Sequence, residues 1–85
     1  MAQLRSSAVQ PNTVLRDIGT LWTLKRGESS ARCVLMAMPD GLELRVMMDG
    51  SLLRAERCER HDQAFALADR WCGRMLDRGW LRLRV

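Results

Sequence analysis

The stretch Pro39-Asp40-Gly41-Leu42-Glu43-Leu44-Arg45-Val46-Met47-Met48-Asp49-Gly50 decides the fold. Two turn signals, Pro39-Asp40-Gly41 and Asp49-Gly50, bracket the alternating run Leu42 to Met48. Asp-Gly between alternating runs marks a hairpin, because glycine supplies the positive φ that a tight turn needs. Pro39 at the second turn position, Asp40 at the third and Gly41 at the fourth fit a type I turn closed by a left-handed glycine, a three-residue hairpin loop. Asp49-Gly50 fits a two-residue loop. Leu42 to Met48 is then the middle strand of three antiparallel strands.

Working outward, Ala31 to Met38 supplies the strand before the first turn and Ser51 to Arg57 the strand after the second. Upstream, Thr20 to Lys25 is β-rich and alternating, joined to Ala31 by a loop from Arg26 to Ser30. Val14 to Ile18 offers a further short strand. From His61 to Arg78 the period changes: Ala64, Phe65, Ala68, Trp71, Cys72, Met75 and Leu76 recur every three or four residues, the pattern of an amphipathic helix. Asp62 suits its first turn, and Arg74 and Arg78 suit its negative end. Gly79 suits the left-handed position after the helix, with Trp80 packing back on Met75 in a Schellman arrangement. Gly73 inside the helix costs about 1 kcal/mol against alanine, and reads as a point of close approach to the sheet. Leu81 to Val85 alternates again, as a short fifth strand or a frayed tail. Residues 1–13 are polar and aperiodic, a flexible tail. The remainder, 14–85, reads as a single α+β domain: a four-stranded antiparallel β-meander with one C-terminal α-helix packed on one face (ββββα).

The two-residue loop at Asp49-Gly50 sets Val46 opposite Leu53, Leu44 opposite Ala55 and Arg45 opposite Arg54. Leu42, Leu44, Val46, Met48, Leu53 and Ala55 then share the face that takes the helix. Glu43, Arg45, Met47, Leu52, Arg54 and Glu56 share the other, with Glu43–Arg54 and Arg45–Glu56 as diagonal charge pairs. The second strand is apolar on both sides: Arg32, Val34, Met36 and Met38 form one row, and Ala31, Cys33, Leu35 and Ala37 the other. A half-covered antiparallel sheet normally shows a polar outer row, and an apolar one marks an interface. Cys33, Leu35, Met47 and Leu52 are therefore candidate interface residues, covered by a second copy, another protein or residues 1–18.

Composition narrows the chemistry. Eighty-five residues carry a net charge of +4, and the basic residues are arginines except Lys25. The charges are interspersed, with no run of five or more basic residues, and a clustered patch is what nucleic-acid binding requires. The longest apolar run, Cys33 to Met38, is too short for a membrane span. An odd number of cysteines without an export signal points to reduced thiols and a cytoplasmic location. Cys58-x₂-His61 has ligand-like spacing, but Cys72 lies roughly 16 Å further along the helix, beyond the reach of one zinc ion; no metal or cofactor is expected. With one histidine, no nucleophile elbow and no glycine-rich phosphate loop, the chain reads as a non-enzyme. Arg32, Arg45, Arg54 and Arg57 on the sheet, with Arg70, Arg74 and Arg78 along one helix row, are candidate nucleic-acid contacts. The outline is similar to single-stranded-DNA-binding coactivator and Whirly modules. Single-strand binders add stacking aromatics, however, and Trp22 is the sole sheet aromatic.

Leu21-Trp22-Thr23-Leu24, Pro39-Asp40-Gly41, Leu42-Glu43-Leu44-Arg45-Val46, Asp49-Gly50 and Arg78-Gly79-Trp80 together resemble a pattern in small uncharacterised bacterial proteins, a domain of unknown function. The resemblance covers roughly residues 20–80. It implies the ββββα layout and carries over no activity and no catalytic residues. The favoured role is a small cytoplasmic interaction or accessory protein, self-associating as a homodimer or meeting a protein partner through the outer sheet face. The alternative is a nucleic-acid-binding module.

Overall fold

The computed structural model describes residues 16–83; the tail expected at 1–13 lies outside the described residues. Strands β1 (Arg16–Arg26), β2 (Ser29–Met38), β3 (Gly41–Met48) and β4 (Ser51–Cys58) precede helix α1 (His61–Asp77) and a short β5 (Leu81–Arg82). The sheet order is β4-β3-β2-β1-β5. This is the expected α+β meander, with β5 added antiparallel to β1 at Leu24 and Lys25. The separate runs around Ile18 and Thr20 merge into one strand, whose register is irregular between Asp17 and Gly19 and between Thr20 and Trp22.

The two turns behave differently. Asp49 (φ 51°) and Gly50 (φ 86°) both have positive φ, the signature of a type I′ turn. Asp49 is also clamped to the neighbouring hairpin. Its carboxylate accepts from the Ser30 N–H at 2.9 Å, and its own N–H donates to the Ser30 carbonyl at 2.9 Å. At the other turn Gly41 also has a positive φ, but far from the αL value of about +57°. It opens β3 opposite Met38 with φ 153°, leaving a two-residue loop of Pro39 and Asp40. Glycine is required there for space: a Cβ would sit 3.0 Å from the Cys58 carbonyl oxygen.

The expected β3–β4 register holds for only two pairs. Met48 faces Ser51 and Met47 faces Leu52, and then a bulge at Leu53 shifts the ladder. Val46 pairs with Arg54, Leu44 with Glu56 and Leu42 with Cys58. Leu53 and Ala55 are exposed rather than in the core. The diagonal charge lattice does not form, since Arg45 bonds Glu43 on its own strand at 2.6 Å. The reason lies at the end of β4. The regular register puts Arg57 opposite Leu42, beneath the helix, where a guanidinium is costly to bury. The extra residue turns Arg57 outward to bond Asp40 and brings Cys58 into the core.

Helix α1 packs on the row Trp22, Leu24, Cys33, Leu35, Leu42, Leu44 and Val46. The indole of Trp22 anchors it, donating to the Ala68 carbonyl at 2.9 Å. The buried stripe is Ala64, Leu67, Ala68, Trp71 and Cys72. Leu67 therefore takes a place expected for Phe65 and Leu76, which are exposed. No atom lies within 4 Å of a Cβ built on Gly73, so the expected close approach to the sheet is absent there. The helix ends as expected. Trp80 N–H bonds the Met75 carbonyl and Gly79 N–H the Leu76 carbonyl, both at 3.1 Å, which is the Schellman pattern.

Because the helix takes the row of Cys33 and Leu35, which are 0% and 1% exposed, these two are closed to any partner. Arg32, Val34, Met36 and Met38 form the outer row of β2, as alternation requires. Met47 and Leu52 remain on that outer face, paired with each other.

Candidate functional site

Helix α1 starts beside β4, after Glu59 and Arg60, and its chain ends beside β1 through Trp80 and β5. It therefore crosses the sheet obliquely and leaves the tip of the β3–β4 hairpin uncovered. A groove of about 420 Å³ opens there. Val46, Met48, Leu53 and Met75 form its apolar lining, and Trp71 and Trp80 its inner wall. Arg26, Arg54, Arg74 and Arg78 surround it, and no acidic residue is among the described residues that line it.

Each arginine arrives for a local reason. The bulge at Leu53 puts Arg54 on the helix side of β4, where its guanidinium lies 4.3 Å from the centre of the Trp71 ring. Arg74 and Arg78 are one helical turn apart and share a face with Trp71 and Met75. Arg26 closes β1. Its Nη1 donates to the Arg78 carbonyl at 3.1 Å, and its guanidinium lies 5.0 Å from the centre of the Trp80 ring. A guanidinium over an indole face is attracted by the ring quadrupole, by about 0.5–1 kcal/mol when exposed. The contact holds a flexible side chain near one position.

The seven arginines named from the sequence do not form one patch. Arg54, Arg74 and Arg78 meet in the groove. Arg32, Arg45 and Arg57 pair with Met47, Ala55 and Glu43, in positions on the outer sheet face. Arg45 and Arg57 are already bonded to Glu43 and Asp40. Arg70 is exposed and lines no part of the groove. Arg26 was missed by sequence reasoning. Its only signal is position, since it ends a strand next to a turn, and nothing local reveals that the Trp80 ring returns to meet it.

No protein-family model, curated protein or solved structure matches the chain.

The remaining reactive groups lie outside the groove. Cys33, Cys58 and Cys72 are free and buried. Burial, reinforced by the neighbouring Cys72, pushes the Cys33 thiol up to about 12, so it is a protonated core hydrophobe near neutral pH. Burial, with Glu56 beside it, also raises Cys58. Among the described residues no group of three or more His, Cys, Asp or Glu side chains converges as a metal site. His61 stands beside Phe65 at the exposed start of the helix, with ring centroids 6.2 Å apart. Arg60 holds the Asp62 carboxyl below its ordinary range through a 3.0 Å hydrogen bond. No helix among the described residues is long and apolar enough to cross a membrane.

Proposed function

We propose that this chain is a small non-enzymatic interaction module that holds an anionic partner in the arginine groove. One observation carries the reading: four guanidinium groups surround a concave site whose described lining contains no carboxylate. Surface arginines of a small basic protein ordinarily lie among acidic neighbours, as Arg45, Arg57 and Arg60 do. In the groove, Arg26 and Arg54 are held on indole rings instead.

The test compares two double variants of equal charge, R54A/R74A in the groove and R32A/R70A outside it. Binding of poly-L-glutamate is followed by tryptophan emission over a salt titration. The groove variant is expected to lose about tenfold more affinity than the control, which corresponds to about 1.4 kcal/mol. Equal losses would mean that net charge alone drives binding, and the reading would fall.

Self-association through the outer sheet face is a second reading. It is favoured by Leu52, which is 55% exposed and paired with Met47 on the outermost full-length strand. L52K would then lower the sedimentation-derived mass, and an unchanged monomer in both proteins would refute it. Affiliation with small bacterial proteins of this layout belongs to the same proposal, supported by the ββββα order and the Gly79-Trp80 helix end. So does a cytoplasmic location, which the three free thiols support.

A further inference from the structure

Resting on the groove reading above, we infer that the partner is an acidic peptide segment with an apolar anchor, rather than a nucleic acid. Two features of the groove decide between them. The first is its apolar lining. Met48 and Met75 are half-buried and Leu53 is exposed, so hydrocarbon surface lies open between the guanidinium groups. A phosphodiester backbone has nothing apolar to place there, whereas an aliphatic side chain gains by covering it. The second is the state of the aromatics. Single-strand binders stack bases on open ring faces. Trp71 and Trp80 are each 4% exposed, with Arg54 and Arg26 lying over them. No base can stack there without displacing an arginine.

A short peptide with one aliphatic residue between carboxylates satisfies both features. The aliphatic side chain covers Met48, Leu53 and Met75, and the carboxylates take charge-assisted bonds from Arg54, Arg74 and Arg78. A groove of about 420 Å³ has the size of a small-ligand or side-chain pocket. Recognition runs through side chains rather than strand addition, because the bulge at Leu53 breaks the regular edge of β4.

The experiment uses the full chain and three probes: the capped peptide Glu-Asp-Leu-Asp-Glu, the same peptide with serine for leucine, and an oligothymidylate of equal charge. The leucine peptide is expected to bind about tenfold more tightly than the serine peptide, as burial of one aliphatic side chain allows. L53S should shrink that ratio, while R54A should weaken both peptides. Leu53 is exposed, so L53S is expected to fold, with circular dichroism as the check. Equal binding of the two peptides would overturn the apolar anchor. Tighter, Arg54-dependent binding of the oligothymidylate would overturn the peptide assignment and leave the groove reading standing. If no probe shows Arg54-dependent binding, the groove reading and this inference fall together.

Discussion

Replacing Trp22 with phenylalanine tests how the helix is held on the sheet. Trp22 is buried and its Nε1–H donates to the Ala68 carbonyl at 2.9 Å, joining β1 to the middle of α1. Phenylalanine keeps a ring in place and removes the donor. Loss of the hydrogen bond costs about 1 kcal/mol. The Ala68 carbonyl lies in a helix interior, where the ladder supplies it with a second donor, so it is not orphaned and no larger penalty applies. The smaller ring forfeits roughly 40–50 Å² of buried apolar surface, about 1 kcal/mol at 25 cal/mol per Å². Incomplete collapse of the surrounding core adds to this. The expected total is about 2–3 kcal/mol, or a melting temperature lower by roughly 10–20 °C for a domain of this size. Denaturant unfolding followed by far-UV circular dichroism measures it, with the slope of the transition checked for two-state behaviour. A loss below about 0.5 kcal/mol, the range of ordinary surface substitutions, would refute the reasoning, because the helix would then not depend on this anchor.

Two further outcomes follow from the core and the glycines. The Cys33 thiol is raised to about 12 from an unfolded value of 9.0. A group raised in this way contributes fully below its unfolded value, and the contribution is lost as pH rises through the window from 9 to 12. Stability should therefore fall by about 1.4 kcal/mol per pH unit within that window, and denaturant unfolding of C33V should lack this part of the slope. Gly73→Ala meets open space and should stabilise the helix by about 0.5–1 kcal/mol, whereas Gly41→Ala, with positive φ and the Cys58 carbonyl in its way, should destabilise by about 1–3 kcal/mol; thermal melts of the two variants should move in opposite directions.

The order of the four meander strands, the two-residue turn at Asp49-Gly50 and the Schellman end at Gly79-Trp80 were legible because each depends on neighbours in the chain. The alternation of Leu42, Leu44 and Val46 placed them beneath the helix for the same reason. The β4 register was legible in part. A regular hairpin carries the alternation on to Arg57, and a charged residue at a helix-covered position argues against that register. The signal stood in the sequence at Arg57-Cys58 and was outweighed by the turn. Which row of β2 met the helix had no local answer, since Cys33 and Leu35 are as apolar as Val34 and Met36.

By itself the sequence determined the meander, its Asp49-Gly50 turn and the single C-terminal helix, because backbone conformation and hydrophobic period are properties of contiguous residues; the other two hairpin loops are each two residues, shorter than the spacing predicts. Tertiary structure alone decided the groove. One bulged residue moved Arg54 from the outer face to the helix side, the oblique course of α1 left the hairpin tip open, and the Schellman turn returned Trp80 to Arg26. The four arginines of the site come from three distant segments of the chain, the end of β1, β4 and the end of α1. Their meeting is a consequence of packing, in which burying Cys58 and keeping Arg57 in water outweighed a regular strand.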